Sequence, residues 1–242
     1  MKVKIWLLTA FCVICFSLNS SQTDRVHNVR LACQKIDGTF LESGDTFSFN
    51  NIVGARTEKR GFRTAKIILG GRFVDGVGGG VCQVSTTLYN AVLLSGLKVV
   101  EQHPHSLAVG YVEPSFDAMV SYGYSDLKFI NNTFNPIIIY ASANGKVVTI
   151  KIYGQPLKET YQLKSVITGY IQPKDECLND TDFDDNSENF EKQYVIYPKK
   201  GVISEGFLIK KVNGKVQEIK LLRKDKYLPI NGVYIQKLGG ID

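Results

Sequence analysis

The chain has 242 residues, and its 29 Lys and Arg against 23 Asp and Glu leave a net charge of +6. So modest an excess reads as a solvated surface suited to anionic surroundings; with no basic stripe interleaved with aromatic residues, it excludes a nucleic-acid partner. The five cysteines leave three beyond residue 22, an odd number, so at least one thiol should stay unpaired and disulfides do not organise the fold.

Residues 1–22 read as a secretory leader: Lys2 and Lys4 precede an apolar run from Ile5 to Phe16, and small polar residues follow. The run falls short of the roughly 20 apolar residues a membrane span needs, so export is the expectation and an uncleaved membrane tether the alternative. What remains, roughly 220 residues, is enough for a main domain and a smaller companion. Gln155-Pro156 marks the expected boundary, giving units at 23–155 and 156–242.

Thr23 or Asp24 can cap a first helix whose apolar stripe is Val26, Val29, Cys33 and Ile36, with Gly38 past its end. Cys33 on that stripe is a small core residue. Gly44 to Asn50 alternates like a short strand entering a loop that contains Gly54, Arg56 and Gly61. Gly78-Gly79-Gly80 then leads into a second helix starting at Cys82, with Val84, Leu88, Ala91, Val92 and Ser95 as its stripe and Gly96 as its stop.

Beyond that helix the pattern turns to strands. Val99 to His105 is extended, since Pro104 disfavours helical backbone at His103, and Ala118–Tyr124 and Leu127–Ile130 alternate. Pro136–Ala143 and Lys146–Tyr153 form a hairpin around Asn144-Gly145, and Phe207–Val212 and Lys215–Leu222 form another around Asn213-Gly214. Between them an acidic run over 175–191, with Asp180, Asp182, Asp184, Asp185 and Glu188, reads as a surface loop. The expected fold class is α+β: helices first, antiparallel sheet after, with a small β-rich C-terminal appendage carrying no catalytic pattern of its own.

A cysteine where a glycine-rich turn becomes a helix is placed for chemistry. Unsatisfied N–H groups and the positive end of the helix dipole favour a thiolate there, and the same N–H groups suit an oxyanion. His103 and His105 are the imidazoles available to exchange its proton. Asp117, Asp126 and Glu101 are the carboxylates available to orient the imidazole; spacing does not choose among them, and Asp117 is taken into the candidate site. Gly80, Gln83, Ser85 and Arg56 are the candidate oxyanion and substrate contacts. Two other readings stay open: Cys82 as a packing residue, and Cys82 with His103 and His105 as zinc ligands. The candidate site itself includes no metal and no cofactor.

The block Gly78 to Asn90 resembles the VanW family. So do Gly44 to Asn50, Gly54-Ala55-Arg56-Thr57, Gly61-Phe62, His105-Ser106, Tyr111-Val112, Asp117-Ala118, Asp126 to Phe129 and Asn131-Asn132-Thr133, covering about residues 25 to 155. Where the family often carries an arginine before the histidine pair and Gly-Arg before the aspartate, this chain has Gln102 and Ser115-Phe116. The resemblance implies an exported cell-wall protein of the kind found in vancomycin-resistance clusters. It also implies, for some members, an L,D-transpeptidase whose cysteine, here Cys82, forms 3-3 cross-links between peptidoglycan stem peptides. No protein partner is expected. Asp225-Lys226-Tyr227-Leu228-Pro229 is similar to a short stretch of G5-type wall-associated modules.

Overall fold

The computed structural model describes residues 9–17, 23–145, 147–178 and 190–238. In chain order it runs β1 (Thr9–Ser17), α1 (Thr23–Ile36), β2 (Phe40–Leu41), β3 (Thr46–Ser48), α2 (Phe49–Val53), β4 (Thr64–Leu69), β5 (Arg72–Val77) and α3 (Val81–Leu94). Then follow β6 (Lys98–Glu101), β7 (Lys128–Ile130), β8 (Ile137–Ala143) and β9 (Val147–Gly154). The C-terminal region contains β10 (Glu159–Ile171), β11 (Asp175–Cys177), β12 (Phe190–Ile196), β13 (Gly201–Val212), β14 (Lys215–Tyr227) and β15 (Gly232–Leu238). The pairings are antiparallel except β11 with β15, consistent with an α+β fold dominated by strands.

One sheet has the order β1-β9-β8-β2, with Thr9–Ser17, inside the expected leader, as its edge strand along β9. No helix among the described residues is long and apolar enough to cross a membrane. The rest of residues 1–22 lies outside the described residues, as do Asp180, Asp182, Asp184, Asp185 and Glu188 of the acidic run; its first residues form β11.

The main core lies where α1 and α3 cover the β8–β9 hairpin. Val29, Cys33 and Ile36 of α1 meet Val84, Leu88 and Val92 of α3 and Ile139, Ile150 and Ile152 of the sheet, all essentially sealed from solvent. Burial pushes the Cys33 thiol up to about 12, with the charge of Asp37 adding to the effect, as suits a packing residue. The hairpin turns at Gly145 (φ 93) and, in the C-terminal region, at Asn213 (φ 50) and Gly214 (φ 75), are left-handed as Asn-Gly turns require.

The structure departs from the sequence pattern at α3, which is enclosed on nearly every side, Gln83, Ser85, Thr86, Thr87 and Asn90 included. Those polar side chains displace a strand expected next to them. Ala118–Tyr124 forms only isolated bridges, His103 with Met119 and Ser121 with Ser125. The backbone there has other partners: Asn90 Nδ2 donates to Phe116 O, Gln102 Nε2 to Asp117 O and Ser85 Oγ to Ala118 O, while the Ala118 N–H donates to Thr86 Oγ1. With these groups engaged by side chains, no regular ladder forms.

The sequence pattern also left out the β4–β5 hairpin, which turns at Gly70 and Gly71 (φ 57 and 75). It is tied to α1 by Asn28, a fully buried residue. Asn28 Nδ2 donates to Arg63 O (2.8 Å) and Gly79 O (3.0 Å), and its Oδ1 accepts the Arg63 N–H (2.8 Å). Replacing Asn28 by Ala leaves three backbone groups without that partner. The expected cost is roughly 1–3 kcal/mol, read as a lower urea midpoint with an unchanged slope.

Candidate active site

The position of Cys82 is set by the turn before it. Gly78 (φ 91) and Gly80 (φ 100) adopt backbone that side chains disfavour. Gly79 lies so close to β4 that a Cβ there would stand 2.6 Å from Lys66 O. The Val81 and Gln83 N–H groups donate to the Gly78 and Gly80 carbonyls at 3.2 and 3.0 Å. Cys82 therefore occupies the first turn of α3, where N–H groups lack acceptors within the helix and the dipole favours negative charge.

His105 is 6% exposed and Asp117 1%. Asp117 Oδ2 accepts both the His105 backbone N–H (2.7 Å) and the ring nitrogen Nδ1 (2.6 Å). This double contact fixes the plane of the imidazole and leaves its other nitrogen for Cys82, with which His105 is hydrogen-bonded. Cys82 Sγ also lies 3.5 Å from the Val120 carbonyl. The order is thiol, imidazole, carboxylate.

Burial alone would push the Cys82 thiol up, but the hydrogen bond and charge of His105, joined by the charge of Arg56, outweigh it and hold the thiol below its ordinary value. Burial likewise opposes the His105 imidazolium, yet the hydrogen bonds to Asp117 and Cys82 raise its pKa to about 9. Asp117 is pushed up by burial and pulled further down by His105, Arg223 and Tyr227. The arrangement shifts the balance toward thiolate, imidazolium and carboxylate together.

The remaining candidates fall into place around this row. His103 is diverted: β6 ends at Glu101 and Pro104 intervenes, so its Nε2 meets Glu101 Oε1 (3.0 Å) rather than Cys82. Glu101 is held to about 2, chiefly by its bond to Lys128. Asp126 is also spoken for, accepting Ser48 Oγ (2.6 Å) and the Asn50 N–H (2.8 Å) at the start of α2. Ser85, fully buried, donates to Ala118 O at 2.6 Å, so it holds the segment after Asp117 and does not face substrate. The Gln83 N–H is engaged by Gly80 O, and its side chain Oε1 accepts Arg25 Nη2 at 2.6 Å. Arg56 donates to Asn50 Oδ1 (2.6 Å) and stacks over Phe49, its charge reaching the Cys82 sulfur.

Cys82 opens onto a cleft of about 320 Å³ lined by Gly80, Arg25, Lys66, His105, Tyr111 and Lys199 among others. Arg25 Nη1 is enclosed without an acceptor among the described residues. Arg25, Lys66 and Lys199 line the cleft and no carboxylate does, although Lys66 is paired with Asp75 at 3.0 Å, so the lining carries positive charge suited to an anionic group. Arg25, Lys66 and Lys199 carry no motif; they come from α1, β4 and the C-terminal region, and only folding brings them together. No group of three or more His, Cys, Asp or Glu among the described residues is arranged to hold a metal ion, so the zinc reading has no ligand set there.

A thiol-bearing helix start facing a His–Asp pair is the central feature of the domain, and that domain has a family. Residues 24–153, more than half of the chain, match the family described as VanW like protein, and the chain belongs to it. An uncharacterized protein of Bacillus subtilis (strain 168), YoaR, is 44% identical over 135 residues, which cover 56% of this chain and 45% of that one. The vancomycin B-type resistance protein VanW of Enterococcus faecalis (strain ATCC 700802 / V583) is 26% identical over 157 residues, covering 62% and 56%. The chain thus spans about half the length of these relatives. Among solved structures, the G5 domain of HP0197 covers 33% of the chain and 97% of itself, at 18% identity and a TM-score of 0.20. The IgA1 protease G5 domain covers 35% and 92%, at 17% identity and 0.21.

The electrostatics predict that Cys82 is alkylated by iodoacetamide at pH values below the ordinary thiol range. Because the thiol's pKa is lowered, its thiolate persists as pH falls. His105→Ala should move the midpoint of the alkylation rate up by at least about one pH unit, read by mass spectrometry of the Cys82 peptide.

Proposed function

We propose that the protein is an exported, cell-wall-modifying L,D-transpeptidase that uses Cys82 as its nucleophile. The observation that carries this reading is the Cys82–His105–Asp117 row opening onto a cationic cleft. Family membership supports a cell-wall setting, since one relative is a vancomycin-resistance protein.

In this reaction the Cys82 thiolate attacks the carbonyl carbon on the L-centre of the third residue of a donor stem peptide. The carbonyl oxygen takes up the negative charge beside the Cys82 N–H at the helix start. The His105 imidazolium gives its proton to the departing amine as the C–N bond breaks; terminal D-alanine leaves and a thioester remains. Neutral His105 then accepts a proton from an incoming amine of a neighbouring stem as that amine attacks the thioester. The C–S bond breaks, returning the thiolate and leaving the 3-3 amide cross-link. Asp117 keeps the ring oriented and its Nδ1 protonated throughout. Arg25, with its free Nη1, takes a carboxylate of the stem peptide.

The second reading is a noncatalytic cell-wall or resistance accessory protein in which Cys82 is structural. The covered sulfur, half-buried in the cleft wall, is the feature that favours it.

Incubation with a defined tetrapeptide muropeptide should give an acyl adduct on Cys82 and a 3-3 product, both lost in Cys82→Ala. Absence of adduct and product in the wild-type chain would put the accessory reading ahead. Turnover should fall as pH rises through about 9, where the proton-donating imidazolium of His105 is lost. Arg25→Gln should raise KM about tenfold with little change in kcat, the signature of lost ground-state binding.

A further inference from the structure

We propose that Arg223 and Tyr227, both on β14 of the C-terminal region, are positioning residues for the Cys82–His105 pair and act through Asp117. The C-terminal region would then complete the site rather than serve only as an appended module. This rests on the reading of Cys82 as a nucleophile.

The two oxygens of Asp117 divide their work. Oδ2 faces His105, while Oδ1 accepts the Tyr227 hydroxyl (2.6 Å) and Arg223 Nη2 (3.0 Å). Arg223 Nη1 adds a bond to the Asp117 carbonyl (2.8 Å), and its Nε is anchored on Asp225 Oδ2 (2.5 Å). A buried carboxylate gripped on one oxygen only can rotate about its Cβ–Cγ bond; gripped on both, it cannot. Tyr227 is 1% exposed and Arg223 largely covered, so water offers no ready substitute.

The same strands hold the backbone that carries Asp117. Ser115, two residues earlier, is in left-handed backbone (φ 69), which a residue with a side chain rarely adopts unless its surroundings hold it there. Its N–H donates to the Tyr227 hydroxyl (2.8 Å) and its Oγ meets Ser204 Oγ (2.8 Å). Gly206 of β13 leaves room for it: a Cβ there would stand 2.9 Å from Ser115 Cβ. Next to His105, Ser106 O accepts the Leu228 N–H at 2.7 Å. Both segments that deliver the imidazole and its carboxylate are thus pinned by the C-terminal region.

The test uses the full chain and four variants: Tyr227→Phe, Arg223→Ala, Arg223→Lys, and Lys224→Ala as a control on the solvent face of the same strand. Far-UV circular dichroism and melting verify the fold, and the pH profile of Cys82 alkylation reads the pair without any substrate. Tyr227→Phe and Arg223→Ala should move the alkylation midpoint up by about one pH unit. With muropeptide they should lower kcat about tenfold at unchanged KM. Arg223→Lys should recover part of the loss, having charge without the fork, and Lys224→Ala should behave as wild type. Folded Tyr227→Phe and Arg223→Ala chains with the wild-type profile would overturn the proposal; if Arg223→Ala does not fold, Tyr227→Phe decides. A wild-type chain that forms no adduct, with variants that still shift the midpoint, would remove the transpeptidase reading and leave the coupling standing.

Discussion

The structure around the site depends on one buried carboxylate. Asp117 is enclosed, yet every acceptor position it offers is taken by a donor that belongs to a different part of the chain: His105, Arg223 and Tyr227 on its side chain, Gln102 and Arg223 on its carbonyl. A carboxylate in such surroundings stays ionised only while its donors stay in place, because an unpaired buried charge is costly. The paired state is therefore also a structural constraint. It fixes the loop from Ser115 to Ala118 against α3, and that loop in turn gives α3 its reason to carry Ser85, Thr86 and Asn90 inside the core.

Around this anchor the site combines two effects that would each be weak alone. A helix start lowers the energy of a nearby anion modestly, and an imidazole next to a thiol shares its proton in proportion to how well the imidazolium is stabilised. Here the glycine turn delivers Cys82 to the helix start and Asp117 stabilises the charged ring, so burial, which opposes both charges, is outweighed. The cationic cleft in front of the sulfur extends the same logic to the substrate. Arg25 and Lys199, with Lys66 paired to Asp75, line a space whose charge would suit a peptide bearing carboxylates. Such a peptide is the substrate class proposed for Cys82.

Much of this was legible in the sequence because it is local. The Gly78–Gly80 turn, the helix after it, the two Asn-Gly hairpins and the apolar stripe of α1 all follow from residue types at short spacing. Cys82 stood out for the same reason. The choice between His103 and His105 was not legible: both fall in one extended stretch, but β6 ends at Glu101 and each ring found a separate carboxylate. The choice of Asp117 over Asp126 was hidden likewise, since Asp126 is consumed by the start of α2, a contact spanning more than seventy residues. Arg223 gave no signal, and Tyr227 stood out only within a short stretch similar to G5-type modules, with nothing to link either to Asp117 more than a hundred positions earlier. The polar residues of α3 could have warned that the helix was buried all round, because Thr86 and Asn90 fit neither an apolar stripe nor a solvent face cleanly.

The claim on which the site's chemistry turns is that Cys82 and His105 share charge, each stabilising the ionised form of the other. NMR titration of the His105 ring in the wild-type chain and in Cys82→Ala tests it most directly. The wild-type ring should titrate near 9, and loss of the thiolate should bring it down clearly while Asp117 still holds Nδ1. An identical midpoint in the two proteins would contradict the account, because the sulfur would then carry no negative charge for the imidazolium to answer.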